Sequence, residues 1–189
     1  MIVGEDLVKG EMDCHNCGCN LRPVCPAFEG EKENNNMQVR VQRVHENAKM
    51  PVRAHPTDAG MDLFYCPAPK PEIPGQIETV LPHGTSVLPT GLKIEVPEGY
   101  MLEIKNKSGI ASKRGLLVGA CVVDRGYTGE IFVNLHNVTQ RNQTIKDGEK
   151  IAQGVFVKIP TYVSLVESDN IYDSETDRGS GALGSTGDR

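Results

Sequence analysis

Within GACVVDRGYTGEI, residues 119–131, an acid and a phenol stand close together, Asp124 and Tyr127. Val122 and Val123 favour a pleated environment, while Gly126 and Gly129 permit tight reversals, so the stretch reads as a turn joining strands. A carboxylate in such a turn has two readings: a cap for the bend, or a base aimed into a cleft where it takes a proton from water. Tyr127 likewise either packs into the core or presents its ring to a ligand.

Two other groups carry chemistry by residue type. RGSGALGSTG, residues 178–187, places Arg178 ahead of glycines that surround Ser185 and Thr186. Glycines let consecutive backbone N–H groups converge on an anion, and arginine adds a planar fork of donors suited to phosphate. Composition alone also fits a flexible tail. Near the other end, DCHNCGCNLRPVC holds Cys14, Cys17, Cys19 and Cys25 beside His15. A zinc site can be drawn from these thiols, although the familiar two-pair spacing is missing; the other reading is a reduced, unliganded arm. Cys66 and Cys121 lie apart in the body and read as small buried apolar residues.

The elements that must position these groups are short strands. MQVRVQRV, GMDLFYC, TSVLPTGLKIEVPEGY, MLEIKNK, EIFVNLHNV, EKIAQGVFVKI and TYVSLVES are punctuated by Pro and Gly, the pattern of an all-β sandwich or barrel. A helix is expected only within IASKRG, because no longer segment sustains a period near 3.6 residues. Three zones follow: residues 1–36, an extension whose run EGEKENNN reads as a linker; 37–172, the β body; and 173–189, a glycine-rich tail.

A chain of 189 residues has room for one domain with extensions. Aromatic content of 5% with no Trp, against 38% hydrophobic residues, predicts an aliphatic core. A formal net charge of −5 argues against a general nucleic-acid binder and leaves room for a free nucleotide in a local basic pocket. Neither a cationic-then-apolar leader nor an apolar run of membrane-spanning length is read, so an intracellular protein with no membrane partner is expected.

Taken together, AGMDL (59–63), KSGIA (107–111), GACVVDRGYTGEI, EKIAQ (149–153) and RGSGALGSTG resemble, in order, the five motifs of the trimeric dUTP pyrophosphatases, or dUTPases. LPTGLKIEVPEGY (88–100) is similar to the family as well, and the stretch leading into Asp124 resembles the short lentiviral form. The resemblance implies a distorted jelly-roll β-barrel, a homotrimer whose active sites draw on all three chains, and Mg²⁺-assisted hydrolysis of dUTP to dUMP and pyrophosphate. It implies that Asp124 activates the water and that Tyr127 packs under the deoxyribose, leaving no room for a 2′-OH. Backbone groups of Gly119, Ala120 and Cys121 would read uracil in a hairpin, with Cys121 replacing the family's usual glycine. Lys107, Ser108 and Gly109 correspond to the phosphate-binding Arg-Ser-Gly, the lysine keeping the charge but losing the bidentate fork. Gln153 corresponds to a further phosphate donor, and Asp62 to the acid that places Mg²⁺ through water. In the tail, Arg178, Gly184, Ser185 and Thr186 would grip phosphate, while Leu183 stands where an aromatic usually stacks over the base.

Three competing readings remain open at this level. A related class on the same fold deaminates dCTP and needs a glutamate ten positions after the aspartate; Asn134 stands there, and an amide cannot act as the base. The chain could instead be a nucleotide-sensing or protein-binding module on this scaffold, since fold does not fix function. A purely structural barrel explains the strands but not the tail or the placement of Asp124.

Overall fold

A computed structural model of the chain describes residues 37–69, 75–160, 162–172 and 174. The chain divides into Met1–Gln38 and Val39–Arg189, and everything below concerns the second unit. Cys14, Cys17, Cys19 and Cys25 lie outside the described residues, as do Arg178, Leu183, Gly184, Ser185 and Thr186.

The described residues are mostly strand. In chain order they form β1 (Val41–Arg43), β2 (Met61–Phe64), β3 (Ile77–Val80), β4 (Thr85–Pro89), β5 (Leu92–Ile94), β6 (Tyr100–Lys105), α1 (Ser108–Arg114), β7 (Leu116–Val118), β8 (Val122–Val123), β9 (Phe132–Asn137), β10 (Gln143–Lys146) and β11 (Lys150–Lys158). The all-β expectation with one short helix holds. Four antiparallel sheets result, ordered β2-β11-β6-β8, β4-β9-β7, β1-β5 and β10-β3.

Alternation sends one face of these strands inward. β9 buries Val133, Leu135 and Asn137 while Phe132, Asn134 and His136 face the other way. With Leu63, Leu88, Leu92, Leu102, Ile104, Leu116, Ile131, Ile145 and Ile151, the inward residues make one aliphatic core, and every one of the largest fully buried side chains is Leu, Ile or Val. Burial of this kind contributes about 25 cal/mol per Å² of apolar surface, which makes the packed sheets a rigid base for the loops above them.

The helix starts directly after Lys107, and its end is well specified. Gly115 adopts a left-handed φ of 61°, and its N–H returns to the carbonyls of Ala111 and Ile110. Lys113 and Arg114 in the last turn complement the carbonyl end of the helix. Arg114 bonds the Glu149 carboxylate and the Thr144 carbonyl, so α1 is moored to the turn that begins β11.

Three features differ from the sequence expectations. Residues 119–121 do not form the bend of a simple hairpin: β7 pairs with β9 and β8 pairs with β6, so the chain crosses there from one sheet to another. β3 and β10 pair with each other although neither stood out in sequence, each burying a single fully inward side chain, Val80 and Ile145. The apolar alternation of TYVSLVES forms no strand over residues 162–168, and no ladder partner lies alongside it among the described residues. Tyr162, Leu165 and Val166 are consequently more than four-fifths exposed, at 94%, 92% and 82%.

Candidate active site

The sheet crossing creates a cleft. Ala120, Cys121, Val122, Val123, Asp124, Tyr127 and Glu130 line a space of about 200 Å³ floored by Ile104 and Ile131. β8 contributes two residues paired to Leu102 and Glu103 of β6, and the chain then turns, with the Tyr127 N–H on the Asp124 carbonyl at 3.1 Å. Asp124 is exposed, and among the described residues its carboxylate takes part in no hydrogen bond or ion pair. Of its two readings, the bend cap therefore fails: the backbone carbonyl closes the turn and the side chain is left for something else. Tyr127 is not a core residue either, being 46% exposed with its hydroxyl donating to the Glu130 carbonyl at 2.7 Å.

The backbone at the crossing is partly used up. Gly119 N–H donates to the Asn134 carbonyl at 2.9 Å, and Ala120 N–H donates to the Asn134 side-chain oxygen at 3.2 Å. The Cys121 carbonyl accepts from Ile104 N–H at 2.7 Å. Among the described residues this leaves the Cys121 N–H and the carbonyls of Gly119 and Ala120 to meet a ligand. Gly119 is required by close approach, since a Cβ there would collide with the Asn134 side-chain oxygen and His136 Nε2. Asn134, the position a deaminase would fill with glutamate, thus braces the cleft wall.

Cys121 is half-buried rather than fully buried, and it lines that wall. Cys66 conforms: burial, helped by Asp147 and Glu130, pushes its thiol up to about 11, so it stays protonated and inert.

A second group gathers where β2, β11 and β6 run side by side. Gln153 of β11 sits opposite Asp62 of β2 and Lys105 of β6. Asp62 is 5% exposed, Lys107 donates to its Oδ1 at 2.7 Å, and Lys150 stands 2.7 Å from its Oδ2. The latter contact is an ion pair by distance, while Oδ2 accepts no well-directed hydrogen bond. Burial pushes the Asp62 carboxyl upward, but the two ammonium groups outweigh it and hold Asp62 below the usual carboxylate range. Gln153 donates to the Asn106 carbonyl at 2.9 Å and packs where a Cβ on Gly60 would otherwise stand. Ser108 and Gly109 open α1, and a Cβ on Gly109 would meet nothing within 4 Å, so a ligand has open access to the backbone there.

One carboxylate set against two lysines leaves this corner with a surplus of positive charge, suited to an anion. Among the described residues no three His, Cys, Asp or Glu side chains converge as a metal cage. That donor set fits Mg²⁺ only as an ion carried by a polyanion and touched by Asp62 through water, since both Asp62 oxygens already face ammonium groups.

Among the described residues, Asp62, Lys107, Ser108, Gly109 and Gln153 are absent from the lining of the Asp124 cleft. Sequence reasoning also passed over Lys150, Asn134 as a brace, and Glu130. Lys150 and Glu130 stand inside quoted motifs, so adjacency to motif residues was the available signal.

The dUTPase family model matches residues 46–187. The deoxyuridine 5′-triphosphate nucleotidohydrolase of Arabidopsis thaliana is 38% identical over 149 residues, covering 78% of this chain and 82% of that protein. A mutant Staphylococcus bacteriophage 80alpha dUTPase solved with dUpNHpp superposes with a TM-score of 0.67 at 26% identity, covering 79% of this chain and 98% of the phage chain. A mutant dUTPase of phage phi11 of S. aureus, whose structure details the coordination of a structural Mg(II) ion, gives 0.61 at 25% identity, covering 73% and 100%. With the motifs, the family model and these likenesses in agreement, the chain belongs to the dUTPase family.

Proposed function

We propose that the protein hydrolyses dUTP to dUMP and pyrophosphate, limiting uracil incorporation into DNA and supplying dUMP for thymidylate synthesis. The observation that carries this reading is the unengaged Asp124 carboxylate beside an exposed Tyr127 in a cleft of nucleoside size. Asp124 takes a proton from a water whose oxygen forms a bond to the α-phosphorus. The bond from that phosphorus to the bridging oxygen breaks, and pyrophosphate leaves. Chemistry of this kind asks mainly for alignment and charge neutralisation. Tyr127 lies under the sugar, the Cys121 N–H donates to one uracil carbonyl, and one of the Gly119 and Ala120 carbonyls accepts the N3–H.

Lys107, Gln153 and the open backbone at Ser108 and Gly109 bind the triphosphate, joined from the tail by Arg178, Ser185, Thr186 and Gly184, with Leu183 covering the base. Mg²⁺, when bound with the triphosphate, neutralises its charge, and Asp62 orients that ion through water. The absence of Asp62, Lys107 and Gln153 from the lining of the Asp124 cleft among the described residues supports a homotrimer in which one subunit's Asp124 cleft meets another's Asp62 corner. The exposed apolar side chains of residues 162–172 supply a surface for that assembly. Incubation with each deoxynucleoside triphosphate and Mg²⁺, scoring pyrophosphate and ammonia together, tests the reading: pyrophosphate from dUTP alone is expected, and ammonia from dCTP would replace it with deamination.

A further inference from the structure

We propose that Glu130 is a positioning residue for sugar selection, acting by fixing the carbonyl to which the Tyr127 hydroxyl is tethered. The proposal rests on the reading of Tyr127 as the residue that meets the deoxyribose.

Tyr127 is poorly held by packing. Its ring lines the Asp124 cleft and also a second cleft of about 410 Å³, walled by Arg40, Lys93, Glu95, Arg125 and Thr128. A ring with open space in two directions, between Gly126 and Gly129, has little to define its tilt. Two contacts supply that definition. The hydroxyl donates to the Glu130 carbonyl at 2.7 Å, and the ring lies so close over Gly129 that a Cβ there would collide with it.

That carbonyl shares one planar peptide unit with the Ile131 N–H, and residue 130 is held on its other side by its own carboxylate. Glu130 Oε1 accepts the Gly91 N–H at 2.7 Å, half-buried and charge-assisted. Gly91 cannot shift: it holds a left-handed φ of 69°, a Cβ on it would stand 2.7 Å from Ala48 Cβ and 2.8 Å from Cys66 Sγ, and its carbonyl accepts from Val44 N–H at 2.7 Å. The neighbouring Ile131 is clamped to the same turn, donating to the Leu92 carbonyl at 2.8 Å and accepting from the N–H and hydroxyl of Thr90. The β4–β5 turn, seated in the core, thus sets the Glu130 main chain, and the Glu130 main chain sets Tyr127. Because Glu130 Oε1 is held by the Gly91 N–H, its part in selection is to aim the ring.

The test compares kcat/KM for dUTP and UTP in the full chain, for the wild type, Glu130→Gln, Glu130→Ala, Tyr127→Phe and the Ala/Phe double variant, with thermal melts of each. Glu130→Ala is expected to lower the dUTP-to-UTP ratio by about tenfold, the scale of one lost charge-assisted hydrogen bond. Glu130→Gln, which keeps an oxygen for the Gly91 N–H, should stay within about threefold of wild type. Tyr127→Phe removes the same tether, so the double variant should fall no further than the worse single variant. Should the alanine variant not fold, Glu130→Asp, too short to reach Gly91, takes its place. An unchanged ratio in the shortened variant, an equal fall in Glu130→Gln, or additive losses in the double variant would each overturn the role of Glu130 while leaving the dUTPase reading intact. A wild type that leaves dUTP uncleaved would remove both.

Discussion

The Lys107 ammonium, at the head of α1, donates to the buried Asp62 at 2.7 Å, while Lys150 faces the other carboxylate oxygen from β11. Two strands, β2 and β11, and a helix start therefore meet at one acid. Asp62→Asn leaves both lysines without a counter-charge at a 5% exposed position. Because the lysines keep partial access to solvent, at 32% and 45%, the loss is expected at about 1–3 kcal/mol rather than the larger cost of a fully buried pair. The folded-state pKa of Asp62 lies below its unfolded value of about 3.9. Its contribution is present above that value and is lost as pH falls through the lower folded one. Urea melts from neutral pH to pH 2 should show wild type losing stability below about pH 4 more steeply than Asp62→Asn; parallel curves would contradict the pairing.

Gly119→Ala should damage the base pocket. The new methyl collides with the ends of the Asn134 and His136 side chains, and moving His136 gives up its Nδ1 bond to the Thr85 hydroxyl at 2.8 Å. Relief requires moving Asn134, which releases the Ala120 N–H. Strain of about 1–3 kcal/mol is expected, raising KM for dUTP roughly tenfold. Pairing it with Asn134→Ala, which removes one obstacle, should recover part of the melting temperature, and steady-state kinetics with thermal melts checks both.

How much of this was legible in sequence differs between elements. β2, β6, β9 and β11 announced themselves through β-branched and aliphatic alternation, and α1 through a short run closed by Gly115. β3 and β10 did not, because IETV and QTIK each carry one fully buried side chain and acquire their ladder only from one another. TYVSLVES has the alternation of a strand but no ladder partner among the described residues. Asp124 and Tyr127 are neighbours in sequence, so their pairing could be read directly. The Glu130 bond to Gly91 and the Lys150 contact with Asp62 join residues far apart along the chain, and no local spacing reveals them.

The apolar segment after β11 should decide assembly. A chain ending at residue 160 is expected to sediment as a monomer, and Tyr162→Glu with Leu165→Glu, which keeps the tail, should weaken the proposed trimer and dUTP turnover together. Sedimentation velocity alongside pyrophosphate assays checks this. A truncated chain that still forms trimers would assign the exposed side chains another purpose.

Leu183 offers a gain-of-binding prediction. Stacking of a base on an aromatic ring is worth about 1–3 kcal/mol, so Leu183→Phe should lower KM for dUTP severalfold with little change in melting temperature. An unchanged KM would place residue 183 away from the base.

The most direct measurement is the rate of pyrophosphate release from dUTP by Asp124→Asn, beside a melting curve. Asp124 is exposed and, among the described residues, free of hydrogen bonds and ion pairs, so the amide should leave the fold intact. Loss of one general base predicts a fall in kcat of about a hundredfold or more with the melting temperature unmoved. Full velocity in the amide variant would contradict the assignment of this carboxylate as the group that activates water.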